Sequence, residues 1–302
     1  MDTEPAELTV IDPDGLPSVV FRWTPSQSPR AALHVMHGLA EHALRYTRLA
    51  SALNAAGYVV YADDHRGHGQ TGARTDSLGD FGPRGMEGVV DAVHAVTERV
   101  HAEHPGLPVF ALGHSWGSFI LYRYLQRYGD DLAGALLTGT THITPGAEAV
   151  GSFNDAFQPA RTPYDWLSRD DAEVDAYLAD PLCGFESVPL RSSPSVERDA
   201  PEPEPGDDST IPHALAVFVF NGAADPIGGT VGGRALADHL LALGLDDVTF
   251  RSYPDARHEL FNEINRDEVV ADVVAWLDAH TVDVRAAGDD ASGSRSARRA
   301  NP

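Results

Sequence analysis

The chain has 302 residues, 42% of them hydrophobic, and a formal net charge of −23. That length and apolar content suit one large α/β domain, with room for an inserted module, and exclude a disordered chain. The negative field disfavours nucleic acid and anionic membranes as partners, and with no lysine in the chain local positive charge must come from arginine.

The opening stretch, MDTEPAELTV, lacks the basic and apolar regions of a signal peptide. Leu8–Ile11 and Ser18–Trp23 then read as an antiparallel pair joined by the turn Asp12-Pro13-Asp14-Gly15. Six more strand-like runs follow: AALHVM (31–36), YVVYAD (58–63), VFALG (109–113), GALLT (134–138), LAVFVF (215–220) and VTFRSY (248–253). Between most of them lie amphipathic stretches of helix length: Tyr46–Ala56, Met86–His104, Trp116–Gly129, Val231–Leu243 and Asp267–His280. Alternation of nearly continuous apolar strands with helices predicts a mostly parallel central sheet covered on both faces.

The alternation breaks between about His142 and His213, too long a gap for a loop in a compact domain. Residues 1–141 and 214–284 therefore read as two parts of one core, and 142–213 as an insertion. Its first part, 153–185, carries aromatics at helical spacing and reads as a cap; Cys183 within it reads as a packed cap residue. Its second part, about 186–212, is proline-rich and acidic and reads as a flexible connector. Residues 285–302 read as a disordered tail. The single cysteine excludes an internal disulfide framework and fits a reducing compartment, and no apolar run reaches transmembrane length. A cytoplasmic protein without stable membrane insertion is expected.

Four loops carry chemistry. In GHSWG (113–117) a serine stands between two glycines, after a strand and before a helix. A sharp strand-to-helix turn lifts the Ser115 hydroxyl out at the carboxyl end of the sheet, and its crowding calls for glycine on either side. A serine needs a base to take its proton, and the base needs an orienting carboxylate. Asp225 follows the strand LAVFVF, and His258 lies in the loop after VTFRSY, so the order serine, acid, histidine is met. Asp255 is the nearest competing acid, but it lies too close to His258 along the chain to reach the far ring nitrogen comfortably. The backbone N–H of Trp116 and that of Leu39, in the loop HGLAEH after AALHVM, are the candidate oxyanion donors. His114 reads as a buried, hydrogen-bonded side chain, and Arg66 as a loop tie to Asp63 or Asp64. His258-Glu259 begins like a zinc-binding His-Glu-x-x-His motif, but residue 262 is Asn, so neither a metal nor another cofactor is expected.

Taken together, HGLAEHALRY (37–46), YADDHRGHGQT (61–71), GHSWGS (113–118), NGAADPIGG (221–229) and YPDARHELFNE (253–263) resemble the α/β-hydrolase superfamily. The resemblance is to its monoacylglycerol lipase and lysophospholipase branch, grouped with serine aminopeptidase-like sequences. It spans roughly Leu33 to His280 apart from the acidic connector, where relatives usually continue the cap with amphipathic helices, and the acyl-pocket wall is correspondingly expected to be more open. It implies the α/β-hydrolase fold and a serine esterase acting on monoacylglycerols or lysophospholipids, with Ser115, Asp225 and His258 as triad and Leu39 and Trp116 as oxyanion hole. The cap aromatics Phe153, Phe157, Trp166 and Tyr177 either line an acyl site or pack the cap onto the core. An amide hydrolase of aminopeptidase type, and a ligand-binding receptor with little turnover, are the two alternative functions.

Overall fold

The computed structural model describes residues 4–142, 152–185 and 206–296, with side chains described as far as Thr281. Eight strands form one sheet: β1 (Ala6–Ile11), β2 (Pro17–Trp23), β3 (Ala31–Met36), β4 (Tyr58–Asp63), β5 (Val109–His114), β6 (Gly134–Thr138), β7 (Ala216–Gly222) and β8 (Val248–Tyr253). Their order across the sheet is β1-β2-β4-β3-β5-β6-β7-β8. The hairpin β1–β2 joins β4 antiparallel, and every pairing from β4 to β8 is parallel. This is the expected mostly parallel sheet.

The apolar runs explain the layering. Every residue of β3, β4, β5, β6 and β7 is buried, as central strands covered on both faces require. Side chains alternate along β5, so Val109 and Ala111 join one core and Phe110 and Leu112 the other. On the first face the core is closed by α3 (Gly85–Glu103), α4 (Trp116–Tyr128) and α6 (Gly229–Ala242), through residues such as Val93, Ile120 and Leu240. On the second face α1 (Thr47–Ala55) and α7 (Arg266–Ser296) bring Leu53, Val273 and Leu277. Two shorter helices complete the set: α2 (Gly69–Arg74), after the 65–69 loop, and α5 (Asp171–Ala179), the one α-helix among the described cap residues.

The insertion is tied to the core at its described ends. Arg169 donates from Nε to Glu263 at 2.8 Å, and Ser168 Oγ donates to the Asn262 carbonyl at 2.8 Å. Residues 186–205, most of the expected connector, lie outside the described residues. Residues 206–212, read as its end, are held: Tyr122 and Gln126 of α4 donate to Asp208, at 2.9 and 2.6 Å. The last helix runs to Ser296 and so covers the first part of the expected tail. Among the described residues, no helix is long and apolar enough to cross a membrane.

One position shows how tightly the centre is closed. A Cβ built on Gly117 would lie 2.1 Å from the Met36 carbonyl oxygen and 2.5 Å from that of His37, both backbone atoms at the end of β3. Gly117→Ala is therefore expected to destabilise the fold by about 3 kcal/mol, the upper part of the range for overpacking. A fall in the urea midpoint checks this; an unchanged midpoint would contradict the close approach.

Candidate active site

The site stands where the carboxyl ends of β3, β5, β6, β7 and β8 meet. Ser115 occupies the turn between β5 and α4 with φ 53° and ψ −122°, a conformation that a side chain adopts only under strain. Surrounding hydrogen bonds fix it: its N–H donates to the Thr138 carbonyl at 2.9 Å, and its own carbonyl accepts from Ser118 N–H at 2.8 Å and Ser118 Oγ at 2.6 Å. Gly38 packs against this turn, since a Cβ there would lie 3.2 Å from Ser115 Cβ. That contact brings Leu39 beside the serine. Among the described residues, no acceptor takes the N–H of Leu39 or of Trp116.

His258 is 2% exposed and Asp225 5%. His258 Nδ1 lies 3.0 Å from Asp225 Oδ1, with the ring N–H tilted off the oxygen. The second face of the aspartate turn is set by Ile227 N–H, which donates to the same Oδ1 at 2.9 Å. Burial by itself pushes the His258 pKa down; the Asp225 charge outweighs it, and the net direction is up. Space for the imidazole comes from Gly139, which follows Thr138 and has φ 59°: a Cβ there would sit 2.8 Å from His258 Cε1. Thr138 thus holds the Ser115 backbone while its neighbour Gly139 receives the His258 ring. Ser115, Asp225 and His258 thus stand at the same end of the sheet, His258 beside Asp225 through Nδ1 and next to the Ser115 turn through the backbone of Thr138 and Gly139.

The cap aromatics divide. The Trp166 ring is 4.9 Å from that of His258, and Phe153 packs on Trp166 at 4.8 Å. The Trp166 and Leu167 carbonyls accept the N–H groups of His258 and Glu259, so the start of the cap belongs to the histidine loop's scaffold. Phe157 lies under the Arg257 guanidinium at 4.4 Å. Tyr177 is buried, and its hydroxyl donates to the Ala40 carbonyl at 3.0 Å. It fastens the cap to the loop that bears Leu39.

Two smaller readings are corrected. Arg66 does not tie Asp63 or Asp64. Its Nε donates to Asp12 at 2.9 Å and its Nη2 to Asp14 at 2.7 Å, while Asp63 accepts from His34 and His65, and Asp64 from Ala43 and Gln70 backbone N–H groups. The hairpin turn of β1–β2 brings its aspartates within reach, a contact that local spacing does not reveal. His114 is buried as expected, but its Nδ1 has no hydrogen-bond partner among the described residues. Its ring packs 4.6 Å from that of His258, and burial holds its pKa down, at about 4, so it stays neutral beside that ring.

Beneath the Leu39 loop lies a buried ionic network that the sequence reading missed. Arg45 donates to Glu41 at 2.7 Å and to both oxygens of Glu259 at 2.7 Å. Glu41 Oε1 also accepts Gly38 N–H at 2.6 Å and Tyr46 Oη–H at 2.8 Å. The Glu41–Arg45 spacing of four was legible as a pair, but Glu259 comes from 214 positions away. Burial raises the Glu259 pKa; the Arg45 charge and its hydrogen bonds overcome this and hold it below the ordinary carboxylate range.

A profile of the family described as serine aminopeptidase, S33, matches residues 27–265. The chain belongs to that family. It is an α/β-hydrolase of the monoacylglycerol lipase branch. A monoacylglycerol lipase of Mycolicibacterium smegmatis is 31% identical over 85% of this chain and 91% of its own length. Among solved structures, a thermostable carboxyl esterase from Bacillus coagulans, in complex with glycerol, superposes with a TM-score of 0.79 at 25% identity, over 92% of this chain and 99% of that one. The Paleococcus ferrophilus monoacylglycerol lipase does so with a TM-score of 0.63 at 27% identity, over 86% and 99%.

The network yields a test. Arg45→Met would leave Glu41 and Glu259 buried without their cation, and is expected to cost about 3–5 kcal/mol. The depressed Glu259 pKa contributes stability above the ordinary Glu pKa and loses it as pH falls through the lower, folded value. The wild type should therefore weaken below about pH 4.3, and the variant much less steeply there. Thermal melts of both proteins across pH check the two slopes, and equal slopes would remove Arg45 from the account.

Proposed function

We propose that this hydrolase cleaves the ester bond of long-chain glycerol monoesters by way of an acyl-enzyme on Ser115. The observation that supports this is that the Ser115 turn and the His258 ring both pack on the backbone of Thr138 and Gly139, with Asp225 Oδ1 3.0 Å from His258 Nδ1, beside two N–H groups free to donate. His258 takes the Ser115 proton as the hydroxyl attacks the acyl carbonyl. The N–H groups of Leu39 and Trp116 receive the oxyanion, each typically worth about 3 kcal/mol. His258 then protonates the leaving glycerol, and water enters to release the acid. Asp225 holds the imidazole tautomer and stabilises its charged form.

The glycerol ester is favoured by the names of the relatives, two of them monoacylglycerol lipases and the third an esterase with glycerol bound. A net charge of −23 argues for a neutral ester over an anionic lysophospholipid. An aminopeptidase needs a carboxylate to hold the substrate ammonium. The buried carboxylates nearest the serine are already committed, Glu41 and Glu259 to Arg45, and Asp225 to His258. Phe153 and Trp166, next to His258, are the proposed acyl-contacting residues. Phe157 and Tyr177 act through the scaffold, on Arg257 and on the Ala40 carbonyl.

Ser115→Ala is expected to lower kcat/KM on a long-chain glycerol monoester by at least about 10⁴-fold while the protein stays folded. A variant hydrolysing at the wild-type rate would end the proposal. Because His258 must be neutral to act as base and its pKa is raised, wild-type kcat/KM should climb through a midpoint above 6.5, the ordinary imidazole value. Asp225→Asn should cut kcat by about 10³–10⁴-fold and shift that midpoint down. A midpoint unmoved by the substitution would take Asp225 out of its role.

A further inference from the structure

We propose that His42, Asp180 and Cys183 form a binding site for a zinc-like divalent cation that clamps the cap onto the loop carrying Leu39. The imidazole nitrogen, a carboxylate oxygen and the thiol sulfur lie within 4.8 Å of one another. His42 Nε2 stands 2.9 Å from Asp180 Oδ2, a hydrogen bond that parts by a few tenths of an ångström to admit an ion. A histidine, a carboxylate and a thiolate are the donor types zinc takes, three from protein and a fourth position left for water. Sequence spacing cannot expose such a set, since His42 and Asp180 are 138 positions apart.

The surroundings are built to hold these groups. Asp180 caps the end of α5, and its Oδ1 accepts Leu182 N–H at 2.8 Å, which leaves Oδ2 facing His42. Cys183 N–H donates to the Asp180 carbonyl at 3.0 Å, and Gly184 N–H donates to Ala40 at 2.9 Å. The cysteine is thus bracketed between its own turn and the loop after β3. His42 is 6% exposed, whereas the Asp180 side chain is 32% exposed and opens a path from solvent.

The charge balance favours a cation. Near Cys183 stand three carboxylates, Glu41, Asp180 and Glu259, against one guanidinium, Arg45. Arg45 is occupied by Glu41 and Glu259 and lies on the Tyr177 ring at 4.9 Å. Burial raises the pKa of the free thiol, Arg45 opposes this, and the three carboxylates add to the rise, so the net direction is well up. Metal uptake changes no oxidation state: the ion forms its bond to sulfur as the thiol proton leaves to solvent. The Nε2 proton that His42 shares with Asp180 must likewise leave or move to Nδ1. Affinity therefore rises with pH.

The experiment is a Co²⁺ titration of the chelator-treated full chain near pH 7.5, followed by Zn²⁺. Cys183 is the single cysteine, so a thiolate-to-cobalt absorption band can arise from it alone. The band should saturate at one equivalent and be bleached by Zn²⁺, and it should tighten as pH rises. His42→Asn and Asp180→Asn should each weaken the cobalt affinity by at least about tenfold, in protein whose circular dichroism shows it folded. If one variant does not fold, the other carries the test. Absence of the band in folded wild type would overturn the proposal. So would an affinity unchanged in a folded variant, which would assign the band to a lone thiol.

Discussion

The geometry of this molecule depends on a crowded crossing at the centre of its sheet. The turn at Ser115 needs a left-handed backbone at a non-glycine residue, and it passes so close to the end of β3 that only glycine fits at 117. Such a turn costs on the order of 1–3 kcal/mol and persists only where neighbours over-determine it. Here the neighbours are the Thr138 carbonyl, the Ser118 hydroxyl and the β3 carbonyls. The strain positions the serine at the sheet's carboxyl edge and directs the N-terminus of α4 at the site. Negative charge developing on a substrate oxygen is favoured there.

A second constraint is electrostatic. The chain carries 45 acidic residues against 22 arginines, yet it places a full ionic cluster in its interior next to the site. Arginine suits this position because its planar fork can serve Glu41 and both oxygens of Glu259 at once. A cluster of this kind is a weak source of net stability. Its contribution is positional: Glu41 takes the N–H of Gly38 and so fixes the peptide that leads into Leu39. Glu259, next to His258, joins the histidine loop to the same arginine. One guanidinium therefore sets the distance between the loop bearing Leu39 and the loop bearing His258.

Much of this was legible before any coordinates. The five central strands, β3 to β7, are readable because central parallel strands are apolar at nearly every position, and their burial bears that out. Ser115, Asp225 and His258 stand out as candidates because each follows a strand and their order along the chain fits one template. Contacts made across the fold were not. The pairing of Arg66 with Asp12 depends on where the β1–β2 turn lands, and the Arg45–Glu259 bond joins positions 214 apart. Helix α2 escaped notice because Gly69–Arg74 holds two glycines and little apolar periodicity. The cap aromatics were readable as a group but not individually. Which ring touches His258 is decided by backbone hydrogen bonds of Trp166 and Leu167, for which side-chain identity gives no signal.

Those same bonds bear on how the cap works. Its first segment, 165–169, is joined to the histidine loop through Arg257, Ser168 and Glu263, with both backbone and ionic contacts. Moving it would move His258. Its later segment, 177–184, rests on the Leu39 loop through Tyr177, the Gly184 N–H and His42. That contact holds no member of the proposed triad. The cap is thus anchored at two points of different kind, one bonded to the loop of His258 and one resting on the Leu39 loop and on Arg45. Any rearrangement that admits a long acyl chain while keeping Ser115 and His258 in register must hinge on the first anchor and release the second.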